Sequence, residues 1–170
     1  MKTALKTLAL SSAILVPLTV AAMTQSPSAP LIDGAPQGWK NLKSSYDTCK
    51  KTDGVLPEFF NSVDISIDGD VITFAANTAE HGVIASTYKV DGIVRRGSDY
   101  HYQADGTVLP DLPSHEAAFW EKNELVREEV TYLPDGGYAM ESNTLSVDAD
   151  GALNYSLIIG GNTLLQATCR

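Results

Sequence analysis

The chain is divided into short segments by five Asp-Gly pairs, which occur at residues 68–69, 91–92, 105–106, 135–136 and 150–151. Apolar and polar residues alternate in the segments between them, as Val63, Ile65 and Ile67 do before the first pair. Asp-Gly between alternating segments is a strong hairpin signal, because glycine adopts the positive φ that a tight turn requires. The five pairs therefore predict an antiparallel meander.

Helical signals are weak by comparison. Residues 42–51 and 114–120 are the two helix candidates, and Ser114 is a suitable N-cap for the second. The spaces between strand candidates are too short for crossover helices, which excludes a parallel α/β sheet. We therefore predict an all-β fold, an antiparallel up-and-down meander of about eight strands. A meander of this size removes its exposed edges if it closes into a barrel, and we expect that closure.

The amino terminus has the composition of a secretory signal peptide. Lys2 and Lys6 precede an apolar run over residues 8–22, and the run ends in the small residues Ala21 and Ala22. We predict a signal peptide over residues 1–22, a periplasmic or secreted mature protein and no membrane insertion after signal cleavage. An uncleaved anchor is the rival interpretation, but the run holds polar residues and a proline, whereas a spanning helix needs roughly 20 mostly apolar residues.

Two regions are expected after the predicted cleavage site. Residues 23–38 are rich in proline and small residues, which indicates a flexible linker. Residues 39–170 are long enough to form one domain with its own core.

The two cysteines, Cys49 and Cys169, are separated by 120 residues. In an exported protein a lone pair of cysteines tends to form a disulfide bond. Neither cysteine has the nearby partner cysteines of a zinc site, and no His-Glu-x-x-His or EF-hand pattern is present in the sequence. We predict a Cys49–Cys169 disulfide and neither a metal site nor a cofactor.

The charge of the chain limits its partners. The net charge is −9, and removal of Lys2 and Lys6 with the signal peptide would bring it to about −11. Phosphate binding requires clustered lysine and arginine, so we expect no nucleic-acid partner.

The order of several features resembles a known family. Trp39 is followed by Leu42, Lys43 and Ser44, then by strands separated by Asp-Gly turns, and finally by the sequence Leu-Ser-Val-Asp-Ala-Asp-Gly-Ala-Leu at 145–153. In this respect residues 39–170 resemble the lipocalin-like, or calycin-type, small exported bacterial β-barrel proteins. The resemblance implies a closed lipocalin-like barrel that binds a small apolar molecule in its interior.

Residues on one alternation of several strands would line such an interior. The candidate ligand-binding residues are Ile84, Tyr88, His101, Tyr138, Met140, Tyr155 and Leu157. The alternative is a core filled by side chains, which is common in small barrels.

These patterns favour two functions and do not support a third. The first is an exported protein that holds a small hydrophobic ligand. The alternative is an interaction or inhibitor module of the cell envelope, which would bind an envelope protein through its tyrosines and acidic loops such as residues 109–113. An enzyme is not expected, because no catalytic motif is present. The one candidate carboxylate pair, Glu128 with Glu141, is better explained by solvated strand faces.

Overall fold

A computed structural model of the chain describes residues 34–56, 60–79, 82–102 and 108–170. This part contains a short 3-10 helix and eleven strands. Their bounds are Gln37–Asn41 for the helix, Ser45–Tyr46 (β1), Cys49–Asp53 (β2), Ser62–Asp68 (β3), Val71–Thr78 (β4), Gly82–Lys89 (β5), Arg95–Tyr102 (β6), Val108–Glu121 (β7), Glu124–Tyr132 (β8), Tyr138–Val147 (β9), Leu153–Ile159 (β10) and Asn162–Cys169 (β11). The predicted signal peptide and residues 23–33 of the predicted linker lie outside the described residues.

The strands form two antiparallel sheets. The smaller sheet has the order β1-β3-β4-β5, and the larger sheet has the order β2-β11-β10-β9-β8-β7-β6. The prediction of an all-β, antiparallel fold is therefore confirmed, with more strands than the predicted eight. Neither sheet closes on itself among the described strands, so the predicted barrel is not confirmed.

Asp-Gly pairs form three of the expected hairpin turns. They join β3 to β4 at residues 68–69, β8 to β9 at 135–136 and β9 to β10 at 150–151. The pair at 91–92 is different, because it carries the chain from the smaller sheet to the larger one. There the Gly92 N–H donates to the carbonyl of Ala118 at 2.9 Å. The pair at 105–106 lies outside the described residues.

Both helix candidates are wrong. Residues 114–120 lie within β7, where they pair with β8 over their whole length and with β6 over part of it. Residues 42–51 include β1 and the first part of β2, and the 3-10 helix precedes them. Pairing with β8, and at residues 114–116 also with β6, satisfies the backbone hydrogen bonds of this segment, whereas an isolated helical turn is costly to nucleate. Ser114 therefore lies in a strand and is not a helix N-cap.

Side chains from both sheets fill the space between them. Ile72 and Phe74 of the smaller sheet belong to the same buried core as Leu125 of the larger sheet. Phe60, Phe74 and Tyr155 form an aromatic group whose ring centroids lie 5.5–5.8 Å apart. Since Phe74 and Tyr155 come from opposite sheets, these rings join the two sheets at the centre of the core.

Trp39 attaches the start of the domain to the larger sheet. Its ring is buried, and it packs edge-on against Trp120 with ring centroids 4.7 Å apart. Its Nε1 donates to the carbonyl of Asn123 at 3.1 Å, in the turn between β7 and β8. The indole thus has both the apolar contacts and the hydrogen-bond partner that a buried tryptophan requires.

The predicted disulfide is confirmed. Cys49 and Cys169 are directly opposite each other on β2 and β11, and both are buried. The bond fixes β2 to the strand that ends the chain. A formed disulfide is consistent with folding in an oxidising compartment outside the cytoplasm.

We expect alanine at Gly54 to destabilise the fold more than alanine at Gly69. Gly54 has a φ of +104°, and a Cβ there would lie 2.7 Å from Leu165 Cα, in backbone that cannot move aside. Gly69 also has a positive φ, +60°, but its Cβ would meet open space. Gly69→Ala should cost about 1 kcal/mol from the backbone conformation alone. Gly54→Ala should cost about 1–3 kcal/mol more from the steric overlap.

Urea unfolding of both variants and the wild type measures this difference. Equal losses at the two glycines would contradict the close packing of residue 54 on β11.

Candidate functional site

The two faces of the larger sheet differ in chemistry. Residues alternate across a strand, so Leu125, Arg127 and Glu129 of β8 face the smaller sheet, which defines the inner face. Glu128 and Tyr132 lie on the opposite, outer face and are exposed. Each face carries one candidate site.

The inner face holds a charged cluster, which consists of Arg127, Glu116, Glu129 and Glu141. Arg127 donates from Nε to Glu116 Oε2 at 3.0 Å, from Nη1 to Glu141 Oε1 at 3.2 Å, and from Nη2 to Glu129 Oε2. The strand register explains the arrangement, because Glu129 lies opposite Glu116 of β7 on one side and opposite Glu141 of β9 on the other. One guanidinium is thus shared by three carboxylates.

Burial controls the electrostatics of the cluster. Glu129 is only 5% exposed, and this burial raises its pKa, while the nearby Arg127 offsets only part of the effect. Burial also opposes the charge on Arg127, but Glu129 and Glu116 hold the pKa of the guanidinium above its usual value. Arg127 therefore stays charged, and burial favours the protonated form of Glu129.

The charged cluster is connected to the aromatic core. Asn143 Nδ2 donates to Glu141 Oε1 at 2.6 Å, and the Tyr155 hydroxyl donates to Asn143 Oδ1 at 2.6 Å. Tyr155 in turn stacks on Phe74 of the smaller sheet, with ring centroids 5.6 Å apart. A chain of hydrogen bonds therefore extends along the inner face from Arg127 to Tyr155, which contacts the smaller sheet through Phe74.

A small cavity adjoins the same cluster. It has a volume of about 30 Å³ and is lined in part by Tyr88, Arg95, Glu116, Ala118 and Arg127. A volume of this size holds about one water molecule and excludes an organic ligand. Tyr88 is buried against the cluster, and burial raises the pKa of its hydroxyl.

The outer face carries an aromatic patch, which we define as His115, Val130, Tyr132, Tyr138 and Met140. Tyr132 pairs with Tyr138, and Val130 pairs with both Met140 and His115, so the side chains are neighbours on three adjacent strands. Tyr132 is 46% exposed, Tyr138 66% and Met140 49%. The His115 ring packs edge-on against Tyr132, with centroids 5.5 Å apart.

A polar groove lies farther along the outer face. It has a volume of about 230 Å³, and hydroxyl and amide side chains on β9, β10 and β11 line much of it: Thr144, Ser146, Asn154, Ser156, Gln166 and Thr168. Thr168 Oγ1 donates to Asn154 Oδ1 at 2.8 Å within this set. The outer face therefore has an apolar end and a polar end.

The predicted ligand-binding residues are divided between the two faces. Ile84 and Tyr88 of β5, with Tyr155 and Leu157 of β10, face the space between the sheets and are buried or half-buried. Tyr138 and Met140 are exposed on the outer face and line no space shared with those four. His101 lies on β6 opposite Leu109, and its side chain is outside the described part of the structure. Ligand binding by these residues stays a prediction.

The hypothetical carboxylate pair does not form. Glu128 is exposed on the outer face opposite Ser142, whereas Glu141 is on the inner face opposite Glu129. Sequence reasoning missed Arg127, Glu116 and Glu129. The only sequence signal was the alternation of Leu125, Arg127, Glu129 and Thr131, and charged residues in such an alternation normally indicate a solvated face.

Comparison with protein-family models and with curated proteins finds no match to this chain. The lipocalin-like resemblance therefore stays a prediction. Among the described residues, no helix is long and apolar enough to cross a membrane. The same residues contain no group of three or more His, Cys, Asp or Glu side chains arranged to hold a metal ion.

Proposed function

We propose that this is an interaction module, periplasmic or secreted, that binds a partner protein through the outer face of its larger sheet. The observation that carries the proposal is the exposed aromatic patch. Tyrosine and methionine are enriched at protein interfaces relative to the rest of the protein surface. Tyr132, Tyr138 and Met140 supply these residue types side by side near the end of the β8–β9 hairpin, where Tyr132 and Tyr138 are directly opposite each other.

The surroundings of the patch support the same proposal. Interfaces commonly have an apolar centre and a polar rim that keeps ordered water. On this face the aromatic patch continues into the polar groove, where Thr144 and Ser156 are paired neighbours. The sheet thus presents both parts of an interface on one face.

The charge of the module favours a basic partner. The full chain carries a net charge of −9. Glu124 and Glu128 are exposed on the outer face of β8, three positions and one position, respectively, from Val130 of the patch when every second residue is counted. Complementary charge accelerates association and disfavours partners of like charge. We therefore expect the partner to present lysine or arginine around the residues that contact Tyr138.

Binding of a small apolar molecule between the sheets is the weaker proposal. A typical ligand pocket has a volume of roughly 300 Å³ or more and an apolar lining. The rings of Phe60, Phe74 and Tyr155 occupy the centre of the core, and the larger of the two depressions described above is polar and opens on the outer face. Ile84 and Leu157 are the half-buried apolar residues on which an internal site would depend. Saturable titration with a fluorescent fatty-acid probe would favour that site.

Photo-crosslinking at Tyr138 tests the proposed function. A photoreactive phenylalanine analogue replaces Tyr138 in the full chain, and in a matched protein it replaces Val83, which is equally exposed but lies on the smaller sheet. We expect one protein to be crosslinked only through position 138 and to be identified by mass spectrometry as a basic protein. Crosslinking of a second copy of this chain, or the same products from both positions, would contradict the proposal.

The affinity of the protein for the crosslinked partner should depend on Tyr138. Tyr138→Ser should weaken binding by at least about tenfold, equivalent to 1.4 kcal/mol, because a few central residues, often tyrosines, carry most of the binding energy of an interface. Val83→Ser should leave the affinity unchanged. Isothermal titration of both variants measures the effect, and equal affinities would show that the patch is not the contact.

A further inference from the structure

The charged cluster on the inner face of the larger sheet takes no part in the proposed function. We propose that the charged cluster is an acid-stabilised latch, in which uptake of one proton strengthens the attachment between the two sheets and its release weakens that attachment. The latch depends on four side chains of three adjacent strands: Glu116, Arg127, Glu129 and Glu141.

The charges within the cluster do not balance. Three carboxylates share the guanidinium of Arg127, so the cluster carries an excess of negative charge when all of its groups are ionised. Glu129 is nearly enclosed and has less access to water than Glu116 or Glu141. Desolvation disfavours the charged form of a buried carboxyl group, and neighbouring carboxylates add to the effect. Proton uptake by Glu129, the most buried carboxyl group of the cluster, therefore relieves its repulsion by the neighbouring carboxylates.

Charged and titratable groups from every neighbouring element act on this site. They are Arg95 and Asp99 of β6, Glu116 of β7, Arg127 of β8, Glu141 of β9 and Tyr88 of β5. Asp99 adds further negative charge beside Glu129, while its Oδ2 accepts a hydrogen bond from Thr131 at 3.2 Å. Arg95 is engaged with Asp91 at the surface, where Nη1 donates to Oδ1 at 2.8 Å. Arg127 is therefore the main positive charge beside Glu129, because Asp99 is negative and Arg95 is bound to Asp91.

Two contacts transmit the state of the cluster to the other sheet. Glu141 is connected through Asn143 to the hydroxyl of Tyr155, which stacks on Phe74. Tyr88 of the smaller sheet is buried, and it lines the same small cavity as Glu116 and Arg127. A change of charge at Glu129 therefore alters the electrostatic environment of the side chains that hold the two sheets together.

The sign of the pH dependence follows from the direction of the pKa shift. The pKa of Glu129 is raised above its ordinary value of 4.5 in the folded protein. The folded state therefore binds a proton that the unfolded state releases between that value and the raised pKa. The stabilising contribution is complete below pH 4.5 and is lost as the pH rises through the folded-state pKa.

Urea unfolding between pH 5 and pH 8 tests the latch in the wild type, Glu129→Gln and Glu128→Gln. Glutamine at 129 keeps the shape of the side chain without a titrating proton, and Glu128 is a matched control because it is exposed on the outer face of the same strand. We expect the folding equilibrium constant of the wild type, relative to that of Glu129→Gln, to fall by about tenfold for each unit by which the pKa is raised. Glu128→Gln should follow the wild type.

Near-ultraviolet circular dichroism reports the contact between the sheets in the same samples. The tyrosine signal, to which buried Tyr88 and Tyr155 contribute, should weaken at high pH in the wild type but not in Glu129→Gln. Parallel pH profiles for the wild type and Glu129→Gln would overturn the proposal. If Glu129→Gln does not fold, a carbon-13 titration of the Glu129 carboxyl group in the wild type decides the question: a midpoint above 4.5 supports the latch, and a midpoint at or below it overturns the proposal.

Discussion

Replacement of Arg127 by methionine is expected to lower the free energy of unfolding at neutral pH by about 3–5 kcal/mol, the cost of leaving buried charges without their partner. Methionine retains most of the apolar length of the side chain but removes the only guanidinium bound to Glu116, Glu129 and Glu141 in the described structure. The buried Glu129 then loses its main counter-charge while two other carboxylates remain beside it. The loss should shrink as the pH falls, because protonation of Glu129 removes the buried charge that Arg127 compensates.

Arg96→Met is the matched control for this prediction. Arg96 is exposed on β6, the edge strand that β7 separates from β8, and it pairs with His115. Removal of an exposed charge usually changes stability by about 0.5 kcal/mol or less. Chemical denaturation of both variants at pH 5 and pH 8 measures the effect. Similar losses at Arg96 and Arg127, or a loss at Arg127 that does not depend on pH, would contradict the role of Arg127 as the shared counter-charge.

Removal of the disulfide is expected to have an effect of similar size. Cys49 and Cys169 close a loop with a sequence separation of 120 residues. A crosslink of that span lowers the entropy of the unfolded chain by an amount worth about 4–5 kcal/mol at 25 °C. The bond also fixes β2, which is an edge strand and pairs only with β11 in its sheet. The Cys49→Ser, Cys169→Ser double variant should therefore unfold at much lower denaturant than the oxidised wild type.

The reduced wild type provides the control for this second prediction. Reduction followed by alkylation should give the same loss of stability if the covalent bond is responsible. A loss of less than about 1 kcal/mol in the double variant would mean that the denatured chain is already restricted in some other way. A large loss in the double variant with none on reduction would implicate the buried serines instead of the missing bond.

Local turn chemistry made much of the fold predictable. Asp68-Gly69 was recognisable as a hairpin because the residues on both sides alternate and pair directly with each other. Asp91-Gly92 has the same sequence pattern, yet it carries the chain between sheets. That difference is set by the contact of Val90 and Gly92 with Ala118, far away in the sequence. A dipeptide encodes its own φ angles but contains no information on such distant partners.

The candidate sites were harder to predict, since alternation does not say which face of a strand is buried. Tyr138 and Tyr155 look equivalent as aromatic strand residues, but only Tyr155 packs into the core. Arg127 and Glu129 look like solvated residues until the register with Glu116 and Glu141 is known. Register across three strands is a tertiary property, so the charged cluster had no sequence signature of its own.

We propose that binding takes place on the outer face of the larger sheet and not between the sheets. The most direct test is a nuclear magnetic resonance titration of the labelled protein with the partner identified by crosslinking. We predict that the chemical-shift changes concentrate on the aromatic patch around Tyr132, Tyr138 and Met140. Changes concentrated on Ile84, Tyr88 and Leu157, with the patch unaffected, would contradict the claim and favour an internal ligand.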